Sequence, residues 1–399
     1  MLRRCAGPVA LVLLSSCGSS EGPRAVVAPK PPIDTVSVIV STNPADHPDF
    51  LCTGVQDDIP INQAIQSADS SSRWTVHLMP GTYHVLHGIM VTSRVTLTGS
   101  GPNTIIRLED NAPSMLSTAG IVRAKDDTQG GAGRRVQNVT IEDLVVDGNR
   151  AHQAPSTEDK KFGFYAEGDH IVMRRLVAMN CEGYGFDPHA HSDSIATTDL
   201  LLEDCESFGN ALDGFTLDMV RNSTFRRNYA HDNDRHGINL VTASSDVTLS
   251  NSRSIHNGAT GLMAQNGTRD VVIQSCEFAS NTLQGMFFRD ADGCSLLGNS
   301  FRDNARSGLL LRLSDHTTVS GNTFSENDPG SAGRAVVQMD SSTVNSIASN
   351  TIASTKSRYG VMESGTSDFN DVKDNVFTVP SQTVLLIGPH SSQSGNQSH

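Results

Sequence analysis

The chain has 399 residues and a formal net charge of −13. Nucleic-acid-binding domains are basic, so this acidic balance argues against nucleic acid as a partner. Beyond the N terminus, no apolar run is long enough to cross a membrane.

Residues 1–17 predict an export signal, because two arginines precede a short apolar segment. The segment ends Leu-Ser-Ser-Cys, which resembles a bacterial lipobox and makes Cys17 the expected lipidation site. We therefore expect a cell-surface or outer-membrane lipoprotein. The alternative is an ordinary signal peptide and a periplasmic or secreted protein. Residues 18–40 are rich in Gly, Ser, Pro and Ala, which is typical of a flexible tether.

Residues 41–390 are predicted to form one continuous all-β domain, followed by a polar tail at 391–399. The stretch from Asp57 to Ile65 is the one plausible helix, since an Asp precedes an apolar pattern there. We interpret it as a cap over the first coil of a solenoid. An open solenoid end would expose core and unpaired strand edges.

A repeat of about 23 residues dominates the middle of the chain and predicts its architecture. The pattern Asn-x-x-x-Gly recurs, with short β-branched runs between the markers. This period favours the coils of a parallel β-helix over a sandwich or a propeller, whose repeats are nearer 40–50 residues. The markers are Asn210/Gly214, Asn233/Gly237, Asn257/Gly261, Asn281/Gly285 and Asn304/Gly308, preceded by the looser Asn180/Gly185.

Counting from each repeat glycine, positions +1 and +3 are apolar and are expected in the core. Positions +2 and +4 should then face outward. Stacking the coils about 4.8 Å apart gives a polar column roughly 24 Å long, which suits an extended polymer. The +4 column is His189, Asp218, Val241, Gln265, Arg289 and Arg312.

The segment from Tyr184 to His189 places a phenol, a carboxylate and an imidazole within six residues. In the repeat register, Asp213 and Asp218 occupy the positions of Tyr184 and His189 one coil later, and Arg235 lies in the following coil. These side chains are therefore predicted to converge. About six extra residues after His189 should project as a loop on the binding face.

Five cysteines follow Cys17, so at least one is expected to be a free thiol, and no Cys/His metal spacing occurs. Cys205 and Cys276 occupy core-type positions. A basic strip on the acidic body is also expected. Its members are Lys160, Lys161, Arg235, Arg269, Arg289 and Arg312.

Three motifs resemble the catalytic module of the secreted, calcium-dependent mannuronan C5-epimerases. They are Tyr-Gly-Phe-Asp-Pro-His at 184–189, Asp-Gly-Phe-Thr-Leu-Asp at 213–218 and Asn-Asp-Arg-His-Gly at 233–237. The resemblance covers residues 55–390 and implies a right-handed parallel β-helix acting on alginate. It also implies a calcium requirement, although no site is identified and the family's Gly-Gly-x-Gly-x-Asp repeats do not occur.

The resemblance implies roles for individual residues. Tyr184 and His189 match the proton-transfer pair, and Asp187, Asp218 and Arg235 match the other catalytic positions. Lys160 matches a family lysine, and Arg289 stands where the family has another. The substrate-binding set is Lys160, Asp213, His236, Asn239, Gln265, Arg289 and Arg312.

The chemistry requires removal of the C5 proton of mannuronate and its return from the opposite face. A cation such as Arg235 or Lys160 must offset the adjacent carboxylate. His189 suits the base and Tyr184 the acid. Two alternatives stay open: an alginate lyase acting by β-elimination, and a non-catalytic surface protein that binds glycan. The product pattern and the oligomeric state are not predicted.

Overall fold

The computed structural model describes residues 35–68, 72–113, 120–125, 135–154, 161–190, 195–327, 335–355 and 357–399. The predicted signal with Cys17, and the candidate Lys160, lie outside these ranges. The described chain is a right-handed parallel β-solenoid of about 12 turns, as the repeat predicts. No helix in these ranges is long and apolar enough to span a membrane.

The N-terminal turns contain the longer strands. In chain order they are β1 (Thr35–Ser41), β2 (Phe50–Leu51), β3 (Arg73–Leu78), β4 (Gly81–Val85), β5 (Ile89–Val91), β6 (Val95–Thr98), β7 (Thr104–Leu108), β8 (Gly120–Ala124), β9 (Val136–Asp147), β10 (Phe162–Ala166), β11 (Gly168–Met179), β12 (Phe186–Pro188), β13 (Thr197–Thr198), β14 (Leu201–Glu203) and β15 (Glu206–Phe208).

The middle turns repeat a regular set of three strands. They are β16 (Phe215–Asp218), β17 (Val220–Arg226), β18 (Tyr229–His231), β19 (Ile238–Val241), β20 (Ser245–Ser250), β21 (Arg253–Ile255), β22 (Leu262–Arg269), β23 (Val272–Gln274), β24 (Glu277–Ala279), β25 (Met286–Asp292), β26 (Ser295–Leu297) and β27 (Ser300–Arg302).

The C-terminal turns continue the same order. They are β28 (Leu309–Arg312), β29 (Thr318–Ser320), β30 (Thr323–Ser325), β31 (Ala335–Asp340), β32 (Ser346–Ala348), β33 (Thr351–Ala353), β34 (Tyr359–Ser364), β35 (Asp371–Lys373), β36 (Val376–Thr378), β37 (Gln382–Leu385), β38 (Ser392–Ser394) and β39 (Gln397–Ser398).

Each turn adds one strand to each of three parallel stacks, because a strand pairs with its counterpart one turn later. One stack, called the site sheet below, carries the residues that follow the repeat glycines. The site sheet is β5, β8, β10, β12, β16, β19, β22, β25, β28, β31, β34 and β37.

The only α-helix among the described residues is α1, Asp58–Gln66, close to the predicted range. It buries Ile61, Ala64 and Ile65 against the first turns. Its role as a cap stays a prediction. Short 3-10 helices occur at Pro44–Asp46, Gly101–Asn103 and Arg150–His152.

Two predicted boundaries are corrected. Residues 35–40, assigned to the tether, form most of β1, because Val38 and Val40 are buried and the strand pairs with β3 over six residues. Residues 391–399, expected as a tail, form β38 and β39. There the Asn375 amide donates to Asn396 Oδ1 at 3.1 Å and extends an internal ladder. The solenoid therefore occupies 35–399 of the described chain.

The Asn-x-x-x-Gly pattern reflects one repeated contact. Each buried asparagine donates its Nδ2 to Oδ1 of the asparagine one turn later. A Cβ on Gly214 would lie 2.7 Å from Gly237 O and 2.8 Å from Asn233 Nδ2, so the glycine leaves room for the ladder. The ladder is Asn210, Asn233, Asn257, Asn281, Asn304 and Asn327, with N–O distances of 2.8, 3.0, 3.1, 3.0 and 2.7 Å.

The predicted inward positions are confirmed. At +1, Phe164, Phe186 and Phe215 stack on one another with ring centroids 4.8 and 4.7 Å apart. The prediction for +2 is wrong as regards exposure: Asp187, Thr216 and Asn239 are only 2–3% exposed. Thr216 and Asn239 both donate to Asp213, the buried side chain at the −1 position between them. The +4 column is half-buried at His189 and Asp218 and exposed at Arg289 and Arg312.

All five cysteines of the described chain are free and buried, which confirms the core positions of Cys205 and Cys276. Burial raises the pKa of each thiol. A thiolate is the reactive form, so these cysteines act as small apolar side chains.

Candidate active site

The predicted residues converge where β12, β16 and β19 lie side by side. Phe186 pairs with Phe215, and Phe215 with Ile238, so the register inferred from the glycines is confirmed. The same register continues in the residues just before these strands, where Gly185 N donates to Asp213 O at 3.0 Å. The side chains just before the glycines and at +2 and +4 therefore form one cluster.

Tyr184 lies at the entry to β12, between an aromatic ring and a guanidinium. Its ring packs 4.7 Å from the Phe162 ring. Arg235 lies 5.4 Å from the ring centroid, and its Nη2 donates to the phenol oxygen at 3.4 Å. Burial raises the pKa of Tyr184, and the Arg235 charge opposes that rise. The phenol is therefore protonated near neutral pH.

Arg235 is held by a carboxylate that solvent does not reach. Its Nε and Nη2 donate to the two oxygens of Asp213, both at 2.6 Å, and Asp213 is 0% exposed. Asp213 also accepts from His236 N and from Asn239 Nδ2, each at 3.0 Å. The prediction that Asp213 and Asn239 touch substrate is corrected: both are covered, and they support Arg235 from beneath.

His189 bridges two turns of the site sheet. Its Nε2 lies 3.3 Å from Asp218 Oδ2, and its Nδ1 lies 3.0 Å from Ala190 O. Its ring stacks on Tyr165 with centroids 5.9 Å apart. The hydrogen bond to Asp218 is the main cause that raises the pKa of His189 to about 9. The imidazole is therefore mostly a cation at neutral pH.

Asp187 occupies the middle of the cluster. It is 2% exposed, and within the described chain its Oδ1 has no hydrogen-bond partner. Burial raises the pKa of Asp187 to about 7, and the charge of His189 opposes the rise. The negative charges of Asp218 and Asp213 add to the rise in the pKa of Asp187. The protonation of Asp187 near neutral pH therefore depends on charges from both the His189–Asp218 pair and the Arg235–Asp213 pair.

Two further candidates lie beside this core. His236 Nδ1 accepts from Thr260 N at 3.3 Å, and burial lowers the pKa of His236, which favours a neutral ring. Gln265 donates from Nε2 to Asn239 Oδ1 at 3.2 Å. Both therefore join the network around Asp213.

Arg289 and Arg312 extend the +4 column beyond Gln265, in register. Arg312 Nε lies 2.8 Å from Asp340 Oδ2, and its guanidinium lies 5.6 Å from the Phe287 ring centroid. Among the described residues, Arg289 forms no ion pair, so its charge is available to a ligand.

The predicted basic strip is wrong, because nearby carboxylates, most of them on neighbouring turns, neutralise most of it. Lys161 is buried and lies 3.2 Å from Glu182. Arg269 lies 3.6 Å from Asp270, and Arg235 is bound to Asp213. Lys160 lies outside the described residues.

Sequence reasoning missed the turn before Tyr184. Tyr165 OH donates to Glu167 Oε2 at 3.1 Å, and Lys125 Nζ lies 3.4 Å from the same oxygen. Lys125 also lies 5.8 Å from the Tyr165 ring centroid. Gly163 lies 22 residues before Gly185 and could have marked this turn as part of the repeat. No asparagine stands four residues before Gly163, so the Asn-x-x-x-Gly pattern is incomplete there.

The extra segment after His189 is anchored at both ends. Thr197 Oγ1 donates to His189 O at 2.7 Å and accepts from Gly168 N at 3.0 Å. Ala190 and Ala196 form a small buried cluster with Met219. Residues 191–194 lie outside the described ranges, so the projecting loop stays a prediction.

The expected calcium ion finds no fitting site in the described part of the chain. No group of three or more His, Cys, Asp or Glu side chains there is arranged to hold a metal. The carboxylates of Asp213 and Asp218 are engaged by Arg235 and His189. We therefore derive no step through calcium, and the requirement stays a prediction.

Two family models match the chain. Residues 50–287 match the family "Rhamnogalacturonase A/epimerase, pectate lyase-like", which covers more than half of the sequence. Residues 236–397 match "Right handed beta helix region".

Two curated relatives and one solved structure are similar to this chain. Mannuronan C5-epimerase AlgE5 of Azotobacter vinelandii is 32% identical over 266 residues, 62% of this chain and 25% of that protein. Alginate lyase 7 of the same organism is 30% identical over 203 residues, 47% of this chain and 22% of that protein. The structure of the A-module of Azotobacter vinelandii mannuronan C-5 epimerase AlgE6 superposes with a TM-score of 0.79 at 27% identity, covering 88% of this chain and 97% of that one. The chain spans about a quarter of the length of these curated relatives.

Proposed function

The chain belongs to the rhamnogalacturonase A/epimerase, pectate lyase-like family of right-handed β-helix proteins, and on that premise we propose that it converts β-D-mannuronate to α-L-guluronate within alginate. The observation that carries the proposal is the pairing of two proton-handling groups with anchored partners: Tyr184 against Arg235, and His189 against Asp218. Similarity to mannuronan C5-epimerases over most of the chain supports the same reaction.

The first requirement of the reaction is relief of charge at the substrate carboxylate. The C5 hydrogen is weakly acidic while that group is an anion, because the carbanion adds a second negative charge. Arg235 answers the requirement: Asp213 fixes it in place, yet its side chain stays 38% exposed. A pre-oriented cation stabilises charge that develops in the transition state without reorganisation. Lys160 is the second cation proposed for this task.

The second requirement is a base on one face of the sugar and an acid on the other. We assign His189 as the base and Tyr184 as the acid. Tyr184 suits the acid role, because its raised pKa keeps the phenol protonated. His189 acts as base only after it loses a proton, and a pKa of about 9 leaves about one molecule in a hundred neutral at pH 7. The fraction of molecules with neutral His189 and protonated Tyr184 therefore increases as pH rises towards 9.

The remaining polar groups tune this pair. Asp218 orients the His189 ring and stabilises its cation after proton abstraction, and Asp187 sits between the halves of the site. Arg289 and Arg312 lie further along the site sheet, where further uronate units of a polymer would pass. An extended polar column rather than a closed pocket suits a polysaccharide substrate.

Alginate lyase activity is the second candidate, supported by the similarity to alginate lyase 7. Both reactions begin by removing the C5 proton. A lyase then expels the C4 oxygen, whereas an epimerase returns a proton to C5. The two differ only in which step is faster.

Incubation of polymannuronate in deuterated water separates the candidates. We expect deuterium at C5 of newly formed guluronate, seen by NMR, and no new ultraviolet absorbance. Unsaturated chain ends that absorb in the ultraviolet would establish the lyase instead. Binding of polymannuronate with neither product would identify a non-catalytic glycan-binding protein. Repeating the assay with a chelator tests the calcium requirement.

Export and anchoring form a separate part of the proposal. A lipid on Cys17 would hold the enzyme at the cell surface or outer membrane. Labelling cells with a palmitate analogue tests this: wild-type protein should carry the label and the Cys17→Ala variant should not. Release of unlabelled wild-type protein into the medium would support an ordinary signal peptide.

A further inference from the structure

A line of hydrogen bonds connects a half-buried amide to the candidate acid across four turns of the solenoid. Gln265 Nε2 donates to Asn239 Oδ1 at 3.2 Å, and Asn239 Nδ2 donates to Asp213 Oδ2 at 3.0 Å. Asp213 binds Arg235 through both oxygens, and Arg235 Nη2 reaches the phenol oxygen of Tyr184. We call Gln265, Asn239, Asp213 and Arg235 the amide relay.

The burial of the middle of the relay decides what it can do. Asn239 is 3% exposed and Asp213 is 0% exposed, so neither contacts a polymer on the outer face. Because Gln265 occupies the Asn239 oxygen, the Asn239 nitrogen must face Asp213. Thr216 Oγ1 and His236 N also donate to Asp213, at 3.1 and 3.0 Å. Because donors surround both of its oxygens, the Asp213 carboxylate is held in one orientation. That carboxylate in turn fixes the plane of the Arg235 guanidinium.

We propose that Asn239 and Gln265 are positioning residues, which act through Asp213 to hold Arg235 against the phenol of Tyr184. The proposal rests on the proposed function, in which Tyr184 is the acid. It replaces the sequence-based interpretation of Asn239 and Gln265 as substrate contacts. Arg235 is the member of the relay that faces the substrate.

The charges around Tyr184 set the sign of the expected effect. The charged groups that act on the phenol are Arg235, Asp213 and Asp187. The neighbouring β10 contributes only the apolar Phe162 ring, and the nearby Lys161 and Glu182 neutralise each other. Arg235 is thus the one described cation beside the phenol, and it stabilises the phenolate. If the relay loosens, Arg235 moves away and the pKa of Tyr184 rises.

The test is Asn239→Ala, compared with wild type by kinetics and by ultraviolet titration of tyrosine. The chain has five tyrosines, so each titration is repeated in a Tyr184→Phe background and subtracted to isolate Tyr184. We expect kcat to fall by about tenfold, the effect of losing one buried hydrogen bond in the transition state. We expect KM to change less than about twofold, and phenolate formation at Tyr184 to move to higher pH.

Gln265→Met is the second variant, because Gln265 is only half-buried and its replacement leaves Asp213 untouched. It should give the same directions with a smaller loss of kcat. A raised KM with unchanged kcat and an unchanged Tyr184 titration would overturn the proposal in favour of direct substrate contact. A lowered melting temperature with normal kinetics and titration would overturn it in favour of a purely structural role.

The titration needs no substrate, so it separates this proposal from the proposed function. If wild type shows no epimerase activity but Asn239→Ala still shifts the Tyr184 titration, the relay stands and the assigned reaction fails. If wild type is an active epimerase and neither variant shifts the titration, the relay fails alone.

Discussion

His189 and Asp218 lie on adjacent turns of the solenoid, 29 residues apart in sequence, with Nε2 of the imidazole 3.3 Å from Oδ2 of the carboxylate. This contact makes the candidate base a cation at rest. It also predicts how the rate of the reaction should depend on pH.

The first prediction concerns the wild-type pH profile. Since the hydrogen bond to Asp218 raises the pKa of His189 to about 9, the neutral base becomes more abundant as pH rises towards that value. We expect kcat/KM on polymannuronate to rise by about tenfold per pH unit from neutrality and to level off near pH 9. Loss of protonated Tyr184 should lower it at still higher pH. A rate that is flat or falls between pH 7 and 9 would show that the rate does not depend on loss of the proton from His189.

The second prediction concerns Asp218→Asn, which removes the largest cause of the raised pKa of His189. The acid limb of the kcat/KM profile should move to lower pH. Asp187→Asn should move it in the same direction but less, because Asp187 contributes after Asp218. Profiles that coincide with wild type in both variants would show that the limb belongs to another group.

The third prediction concerns the proton-transfer pair. Tyr184→Phe and His189→Phe should each lower turnover by about a thousandfold or more, since each removes an obligatory proton carrier. Tyr229→Phe is the matched control, because Tyr229 is a half-buried tyrosine on β18, outside the site sheet. It should keep wild-type turnover. Near-full activity in either site variant, with normal circular dichroism, would refute the pair.

The fourth prediction concerns stability. Asn281→Ala removes one rung of the asparagine ladder and leaves the buried main-chain N–H of Asn257 without Asn281 Oδ1, the acceptor that lies 3.1 Å away. Unsatisfied buried polar groups cost about 1–3 kcal/mol each. Urea denaturation should therefore show a clearly lower midpoint.

Gln274→Ala is the control for the ladder, because Gln274 is an exposed amide on β23. Its midpoint should stay close to that of wild type, since exposed substitutions change stability by about 0.5 kcal/mol or less. Equal midpoints for Asn281→Ala and Gln274→Ala would mean that the ladder does not stabilise the fold.

The architecture and the register are predictable because the repeat is itself a physical contact. Asn233 and Gly237 recur together since the amide of one turn fills the space left by the glycine of another. The spacing of that pair along the sequence is therefore enough to place Tyr184, Asp213 and Arg235 on neighbouring turns.

Other features are not predictable, because they depend on contacts between turns that no local pattern records. The sequence predicts Asp213 as an outward polar residue, yet the donors that cover it come from two different turns of the solenoid. The prediction of a basic strip is wrong for a similar reason, since Arg312 pairs with Asp340, which lies one turn away and 28 residues later. Glu167 was missed because its turn lacks the marker asparagine.

The asparagine ladder also gives the molecule a built-in direction. In the bonds between asparagines, each amide from Asn210 to Asn304 donates to the next asparagine towards the C-terminal end, so every turn offers an acceptor to the turn before it and a donor to the turn after it. Neighbouring turns therefore present the same asparagine hydrogen bonds to the turns before and after them. The contacts among Tyr184, His189, Asp213, Asp218 and Arg235 all lie on turns before Gln265, so adding or removing a turn beyond it would leave them unchanged. Under the proposed function, the length of the polar column along the polymer can accordingly change independently of the candidate active site.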